Sequence, residues 1–307
     1  MKKKFLFGLF VVGMVFPVLA QRGGVANPLA RDPQSLFIGE YSERAQYIEH
    51  GTKINGQMAD EGFVLLKNDG SLPLPAGTKI SVCGKGSTNL ARGGSGSGSG
   101  SVSSGVTSID LQKSLTDAGF VINPDLTAFY KDNNKSGRGR TNGNDGWKGN
   151  SQVTIGETPW SSYDQALINS FDDYDEIGIQ VLTREGAEGC DVQTIDSTDS
   201  TQFGFSEKHA LELSDNEQDL FDNLHDLVDK IIIVINSSNL IECDVFMNDD
   251  KVAGILWIGN PGDVGPGAVG RILSGEVNPS GRTISTWTRD FTKDPTFQNF
   301  SDNRHFG

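Results

Sequence analysis

Two uninterrupted apolar runs constrain the fold of this chain more than any other feature. The first covers residues 231–235 (Ile-Ile-Ile-Val-Ile) and the second covers residues 252–258 (Val-Ala-Gly-Ile-Leu-Trp-Ile). A strand that is apolar at every position has to be covered on both faces, which is typical of parallel sheets with a helical layer on each side. Strand-like and helix-like segments alternate along the chain, and this alternation predicts an α/β fold.

The other predicted elements continue the alternation. Strands are predicted at residues 79–83, 120–122 and 176–182, and helices at residues 42–68, 108–118, 163–171, 214–228 and 267–273. Ser214, with Glu217 three positions later, forms a capping box that marks the start of its helix. Residues 131–160 are rich in Asn, Gly, Lys and Ser and show little periodicity, so they predict a long surface loop or insertion.

The N-terminus predicts export. Lysines at positions 2–4 precede an almost wholly apolar stretch at residues 5–16, and Val-Leu-Ala follows at residues 18–20. A basic start, a short apolar stretch and small residues before a cut are typical of a secretory signal peptide, with Gln21 as the mature start. The apolar stretch is too short to cross roughly 30 Å of hydrocarbon. We therefore expect a periplasmic or extracellular protein with no membrane span after cleavage.

Charge and cysteine usage exclude several classes of partner. The net charge of −14 repels phosphate backbones, so nucleic acid is not expected as a partner, whereas a neutral ligand such as a sugar is not disfavoured. Cys83, Cys190 and Cys243 are widely spaced, and the histidines are scattered. This pattern matches neither a disulfide framework nor a metal-binding motif, so we expect no cofactor and no metal.

A glycine-rich region follows the predicted strand at residues 79–83. Gly84-Lys85-Gly86 resembles the start of a dinucleotide fingerprint, but Asn89 occupies the third glycine position. Residues 93–100 alternate Gly and Ser without the Lys-Ser/Thr pair of a phosphate-binding loop, so a nucleotide site is not predicted. Two interpretations stay open: a flexible loop, or a loop whose missing side chains let a ligand or another domain approach its backbone.

A charged loop follows the predicted strand at residues 176–182. It reads Arg-Glu-Gly-Ala-Glu-Gly-Cys-Asp at residues 184–191, and the ends of strands are where α/β sheets place reactive groups. Two carboxylates beside an arginine can divide into a protonated acid and an ionised partner. The alternative is a network of arginine and carboxylates that only fastens the loop.

Several motifs, in order, resemble glycoside hydrolase family 3, the family of many β-glucosidases and β-xylosidases. Glu61–Asn68, followed by Leu-Pro-Leu at residues 72–74, is similar to the segment that opens the family's second domain. The similarity continues at residues 79–84, 93–98, 184–191, 213–218, 259–262 and 277–282. Ala187 stands where the family's Arg-x-x-Gly-Glu-Gly-x-Asp loop usually has glycine. The resemblance covers residues 61–290.

The resemblance implies a fold and a set of site residues. Family members pair a (β/α)8 barrel with a six-stranded, mostly parallel sheet sandwiched between helices, and only the sandwich is expected in this chain. They are retaining enzymes, and the motif match gives the acid/base role to Glu188. Arg184 and Asp191 are expected to support its loop, and Ser95 and Ser97 to contact a sugar hydroxyl.

The nucleophile is expected elsewhere, because the chain contains neither the family's nucleophile segment nor barrel repeats. We therefore expect the acid/base-contributing domain of an exported retaining β-glycosidase that acts on β-linked oligosaccharides, truncated before its barrel and inactive alone. The expected organisation is a signal peptide (1–20), a leader and helix (21–60), the sandwich (61–290, with 131–160 as its insertion) and a linker toward the missing barrel (291–307).

A different class of function stays open beside the enzyme. It is a stand-alone, non-catalytic module that binds carbohydrate or complements a partner. The tryptophans at positions 147, 160, 257 and 287 would supply its stacking platform for sugars. Trp257 and Trp287 lie in strand-like stretches, so core packing is the better expectation for both.

Overall fold

The computed structural model describes residues 40–94, 105–140, 155–186 and 208–297. The chain divides into two compact units, Met1–Tyr47 and Ile48–Gly307. In the first unit the ring of Tyr41 meets that of Tyr47 edge to face, with 5.4 Å between the centroids. Among the helices in the described ranges, none combines the length and the apolar character needed to cross a bilayer.

Helices and strands alternate as the sequence predicts. The elements are α1 (Arg44–Gly62), β1 (Val64–Asn68), β2 (Lys79–Cys83), α2 (Leu111–Asp117), β3 (Val121–Ile122), α3 (Pro124–Lys131), α4 (Asn133–Ser136), α5 (Gln165–Asn169), β4 (Ile177–Arg184), α6 (Asp215–Leu227), β5 (Lys230–Ser237), α7 (Asp244–Met247), β6 (Val252–Trp257) and α8 (Gly267–Leu273). Short 3-10 helices lie at Lys85–Thr88, Trp160–Ser162, Ser170–Asp173 and Phe291–Lys293.

The strands form one six-stranded sheet in the order β1-β6-β5-β4-β2-β3. β1 runs antiparallel to β6, and the other neighbouring pairs are parallel. The predicted mostly parallel sheet is thus confirmed, and the described residues contain no closed barrel. Because β2, β4, β5 and β6 run in one direction, their carboxyl ends and the loops that follow them meet at the same edge. We call this the carboxyl edge of the sheet.

Each face of the sheet carries its own hydrophobic core. Ile232 and Val234 of β5 join the core that contains the buried residues of α2 and α8. Ile231, Ile233 and Ile235 of the same strand join the opposite core, with the buried residues of α3, α5, α6 and α7. This double coverage explains why the run at 231–235 is apolar at every position, since burial of each such side chain contributes about 1.5–3 kcal/mol.

The predicted helix at residues 42–68 is wrong beyond Gly62. The segment that follows is strand β1, in which Val64 pairs with Trp257 and Asn68 with Gly254 of β6. The apolar residues that follow Gly62 fit the spacing of either element, and pairing with β6 decides between them. Pairing with a strand nearly two hundred residues away in the chain therefore determines the structure of this segment, and the local apolar periodicity does not.

The predicted surface loop at residues 131–160 is wrong at several of its described positions. It contains α4, and the side chains of Ser136, Glu157 and Thr158 are buried. Thr158 Oγ1 donates to the Ser136 carbonyl at 2.8 Å, which links the two ends of the segment. A polar composition predicts exposure only when the polar groups lack partners in the protein, and these groups are hydrogen-bonded.

Candidate functional site

The charged loop begins at the carboxyl edge of the sheet. Arg184 is the last residue of β4, where it pairs with Ser237 of β5, and Glu185 follows it directly. The other predicted site residues, Glu188, Asp191, Ser95 and Ser97, lie outside the described residues.

Arg184 is a buried anchor for this end of β4. Its Nη1 and Nη2 atoms donate to the two carboxylate oxygens of Glu217, at 2.7 and 2.8 Å. Nε donates to the carbonyl of Ala210 at 2.6 Å, and Nη2 also donates to that of Glu212 at 2.7 Å. The guanidinium thus joins β4 to α6 and to the segment before it, and a bidentate pair of this kind fixes orientation as well as distance.

The same carboxylate completes the capping box of α6. Glu217 Oε2 accepts from the backbone N–H and from the hydroxyl of Ser214, at 2.9 and 3.0 Å. Ser214 Oγ accepts in turn from the Glu217 N–H at 3.3 Å. The predicted capping box is confirmed, and its second role as the partner of Arg184 is the part that the local pattern does not reveal.

Glu185 points into the protein and pairs with Arg140. The Arg140 Nε donates to its carboxylate, and only 6% of the Glu185 side chain is exposed. Arg140 also donates through Nη1 to the carbonyl of Asn89 and through Nη2 to that of Leu90 at 3.0 Å. Of the two glutamates in the charged loop, Glu185 is therefore engaged in fastening.

Gly84 and Gly86 are packing glycines at the end of β2. A Cβ on Gly84 would lie 2.7 Å from the Val181 carbonyl oxygen, and one on Gly86 would lie 2.2 Å from Thr183 Oγ1. Both Glu157 carboxylate oxygens accept from the Lys85 N–H, at 2.9 and 3.0 Å. A carboxylate of the chain itself therefore holds the backbone donor that a bound phosphate would need.

Glu157 is buried, and its partners are backbone N–H groups. Besides Lys85, the N–H of Thr158 donates to Oε1 at 2.8 Å. Burial, and next the charge of Glu217, raise the pKa of Glu157 to about 8, against the opposing effects of the two N–H groups and Arg184. At neutral pH this carboxyl group is largely protonated.

Asn236, near the end of β5, ties two other loops to the carboxyl edge. Its amide donates to the carbonyls of Ala91 at 2.9 Å and Gly259 at 2.7 Å, and its Oδ1 accepts from the Ala91 N–H at 2.6 Å. A cavity of about 900 Å³ opens beside the loop at residues 259–264, lined in part by Met58 and Phe63. The loops after β2 and β6 are thus held to the end of β5.

His209, Glu212 and Glu242 are close enough to suggest a metal site. His209 Nε2 lies 3.1 Å from Glu212 Oε1 and 3.2 Å from Glu242 Oε1. However, Nδ1 accepts a hydrogen bond from the Leu211 N–H at 3.2 Å, which leaves the proton of the neutral ring on Nε2. A histidine that binds a metal through Nε2 would instead donate a hydrogen bond through its Nδ1–H group. Burial lowers the pKa of His209, an effect that Glu212 and Asp290 oppose.

The described tryptophans pack against the protein. Trp257 and Trp287 meet edge to face at 5.3 Å, and both pack against the core on the α6 side of the sheet. Their indole N–H groups donate to the carbonyls of Ser237 and Ile241. Core packing is thus confirmed for both. Trp160 stacks on Tyr163 at 4.3 Å, and position 147 lies outside the described residues.

Comparisons with known proteins agree on one family. The profile of the glycosyl hydrolase family 3 C-terminal domain matches residues 63–306. A β-glucosidase of Ruminococcus albus is 26% identical over 259 residues, which is 83% of this chain and 24% of that protein. β-Glucosidase A of Butyrivibrio fibrisolvens is 25% identical over 286 residues, which is 87% of this chain and 32% of that protein. The chain thus spans about a quarter to a third of the length of these relatives.

Solved structures show the same fold. β-Glucosidase 3B of Thermotoga neapolitana, in complex with glucose, superimposes with a TM-score of 0.64 at 24% identity, over 84% of this chain and 33% of that one. A β-glucosidase from Paenibacillus barengoltzii gives a TM-score of 0.61 at 20% identity, over 82% and 26% of the two chains.

Proposed function

The chain belongs to glycosyl hydrolase family 3, whose C-terminal domain it contains, and from this we propose that it supplies the general acid/base of a retaining β-glycosidase. The proposed substrates are β-linked oligosaccharides, in keeping with the β-glucosidase relatives. The nucleophile of the proposed enzyme is an aspartate on a (β/α)8 barrel domain.

The proposed chemistry divides the reaction between two carboxyl groups. Retention requires them about 5–5.5 Å apart, one to attack the anomeric carbon and one to protonate the leaving oxygen. We assign the second role to Glu188, which then removes a proton from the water that releases the sugar. Negative charge on the nucleophile favours the protonated form of its neighbour, as an acid requires.

The placement of Arg184 is the observation that carries this proposal. The Arg184–Glu217 pair, with 2.7 and 2.8 Å contacts, fixes the end of β4 from which the charged loop starts. That end lies at the carboxyl edge, where open α/β sheets bind ligands. Because Glu185 is paired with Arg140, Glu188 is the glutamate of this loop that we assign to the chemistry.

Leaving-group dependence tests the acid role. In an enzyme that joins this domain to its barrel, Glu188→Gln should lower kcat/KM for aryl β-glucosides with poor leaving groups by about 10²–10⁴-fold. For substrates whose leaving group needs no protonation, kcat/KM should fall much less. Equal losses across the leaving groups would remove the acid role from Glu188, and robust turnover by the isolated chain would overturn the division between two domains.

We also propose that the protein is exported. The basic start, short apolar stretch and Ala20 support cleavage before Gln21. Mass spectrometry of the exported fraction should find a mature chain beginning at Gln21. Recovery of the uncleaved chain in the cytoplasm would contradict export.

A further inference from the structure

We propose that Arg140 is a positioning residue, which holds Glu185, at the start of the loop after β4, against the segment that follows the Lys85–Thr88 helix. The inference deepens the proposed function and rests on it, because the role assigned to Glu188 gives this loop its importance.

The Arg140 guanidinium group connects two loops of the carboxyl edge, and we call its contacts with Glu185, Asn89 and Leu90 the clamp. Its Nε donates to the Glu185 carboxylate, while Nη1 and Nη2 donate to the carbonyls of Asn89 and Leu90. The side chains of Arg140 and Glu185 are 14% and 6% exposed, so water screens the pair weakly. The guanidinium group is planar and its donors point at fixed angles, so it fixes the positions of its acceptors relative to one another. A lysine ammonium has no such fixed donor geometry.

Among the described residues, Arg140 is the cation paired with Glu185. The neighbouring Arg184 directs both of its Nη atoms to Glu217. Without Arg140, the Glu185 carboxylate would stay buried without its cation, which is costly. The simplest relaxation is rotation of the Glu185 side chain toward water, which releases this position, three residues before Glu188, from its link to Asn89 and Leu90.

Arg140 itself is held by close backbone packing. Gly139 and Gly156 have φ angles of +77° and +62°, and a Cβ on Gly156 would lie 2.2 Å from the Gly139 carbonyl oxygen. The two loops also approach each other beyond the clamp, since a Cβ on Gly94 would lie 3.9 Å from the Gly186 carbonyl oxygen. These contacts of Arg140 thus act between segments that already lie close together.

Hydrogen exchange on the full chain tests the clamp without any activity assay. Arg140→Gln should speed amide exchange by about tenfold or more in peptides that contain Asn89 or Glu185, with β5 unchanged as the internal reference. Arg138→Gln is the matched control, because Arg138 is exposed in the same segment. Adding Glu185→Gln to Arg140→Gln should restore much of the protection around Glu185, since no unpaired charge remains.

Unchanged exchange in Arg140→Gln, or an equal rise in β5, would overturn the clamp. In the two-domain enzyme, Arg140→Gln should lower kcat on a poor leaving group by about tenfold, since displaced catalytic groups slow the reaction, while KM changes little. A change in KM alone, or an unchanged kcat, would overturn the positioning role. If the wild-type enzyme lacks glycosidase activity, the proposed function fails while the exchange result still decides the clamp.

Discussion

Two glutamate side chains are buried at the carboxyl edge of the sheet, and they have different kinds of hydrogen-bond partner. Glu217 receives both Nη groups of Arg184 and two donors from Ser214. Among the described residues, the donors to Glu157 are the N–H groups of Lys85 and Thr158. Backbone donors offset less of the cost of burying charge than a guanidinium does, and the pKa of Glu157 rises to about 8.

The difference separates two ways of fastening a loop. The Arg184–Glu217 pair, with its two hydrogen bonds, fixes the end of β4 in one orientation. The Glu157 carboxyl group instead titrates near neutral pH, so the strength of its hydrogen bonds to the Lys85 N–H, in the turn after β2, depends on pH. The loop proposed to carry the acid starts from the first kind of anchor.

Breaking the charged anchor should have the largest effect. Glu217→Gln leaves the Arg184 guanidinium buried without its carboxylate, which should cost about 3–5 kcal/mol of unfolding free energy. Urea denaturation measures this loss. The control is Asp117→Asn, which removes the exposed Lys113–Asp117 pair of α2 and should cost less than about 1 kcal/mol. A loss at Glu217 no larger than at Asp117 would contradict its role as an anchor.

Removing the titrating carboxyl group should change the pH dependence of stability. The raised pKa means that the folded state disfavours the charged form, so the contribution of Glu157 to stability is complete below pH 4.5 and falls as pH rises toward about 8. This group alone should contribute a loss of roughly 3 kcal/mol between pH 5 and 8, and Glu157→Gln should remove that contribution from the slope.

Urea denaturation at several pH values measures that slope. Glu176→Gln is the matched control, because Glu176 is exposed, and its slope should follow the wild type. An unchanged slope in Glu157→Gln would show that another group titrates.

The sequence predicted the parts of the fold that depend on local pattern. The apolar run at 231–235 became β5, and the capping box of Ser214 and Glu217 starts α6. β1 was missed, because its pairing with β6 is a long-range contact that no local spacing encodes.

The site was predictable in outline only. Motif order located the charged loop at the end of β4, but the partners of Arg184 and Glu185 lie 33 and 45 residues away along the chain. Arg140 and Glu157 fall in a segment whose polar composition indicated a surface loop. The sequence signal there was the presence of glycine at positions 139 and 156, which approach each other closely in the structure, because glycines accept contacts that a Cβ forbids.

The pH profile of kcat/KM tests the central claim, that Glu188 acts as the acid while Glu185 fastens the loop. In the two-domain enzyme the wild type should give a bell-shaped profile, whose high-pH limb reports loss of the acid's proton. Glu188→Gln should abolish that limb, whereas Glu185→Gln should keep both limbs at reduced height. A high-pH limb that persists in Glu188→Gln, or disappears in Glu185→Gln, would contradict the account.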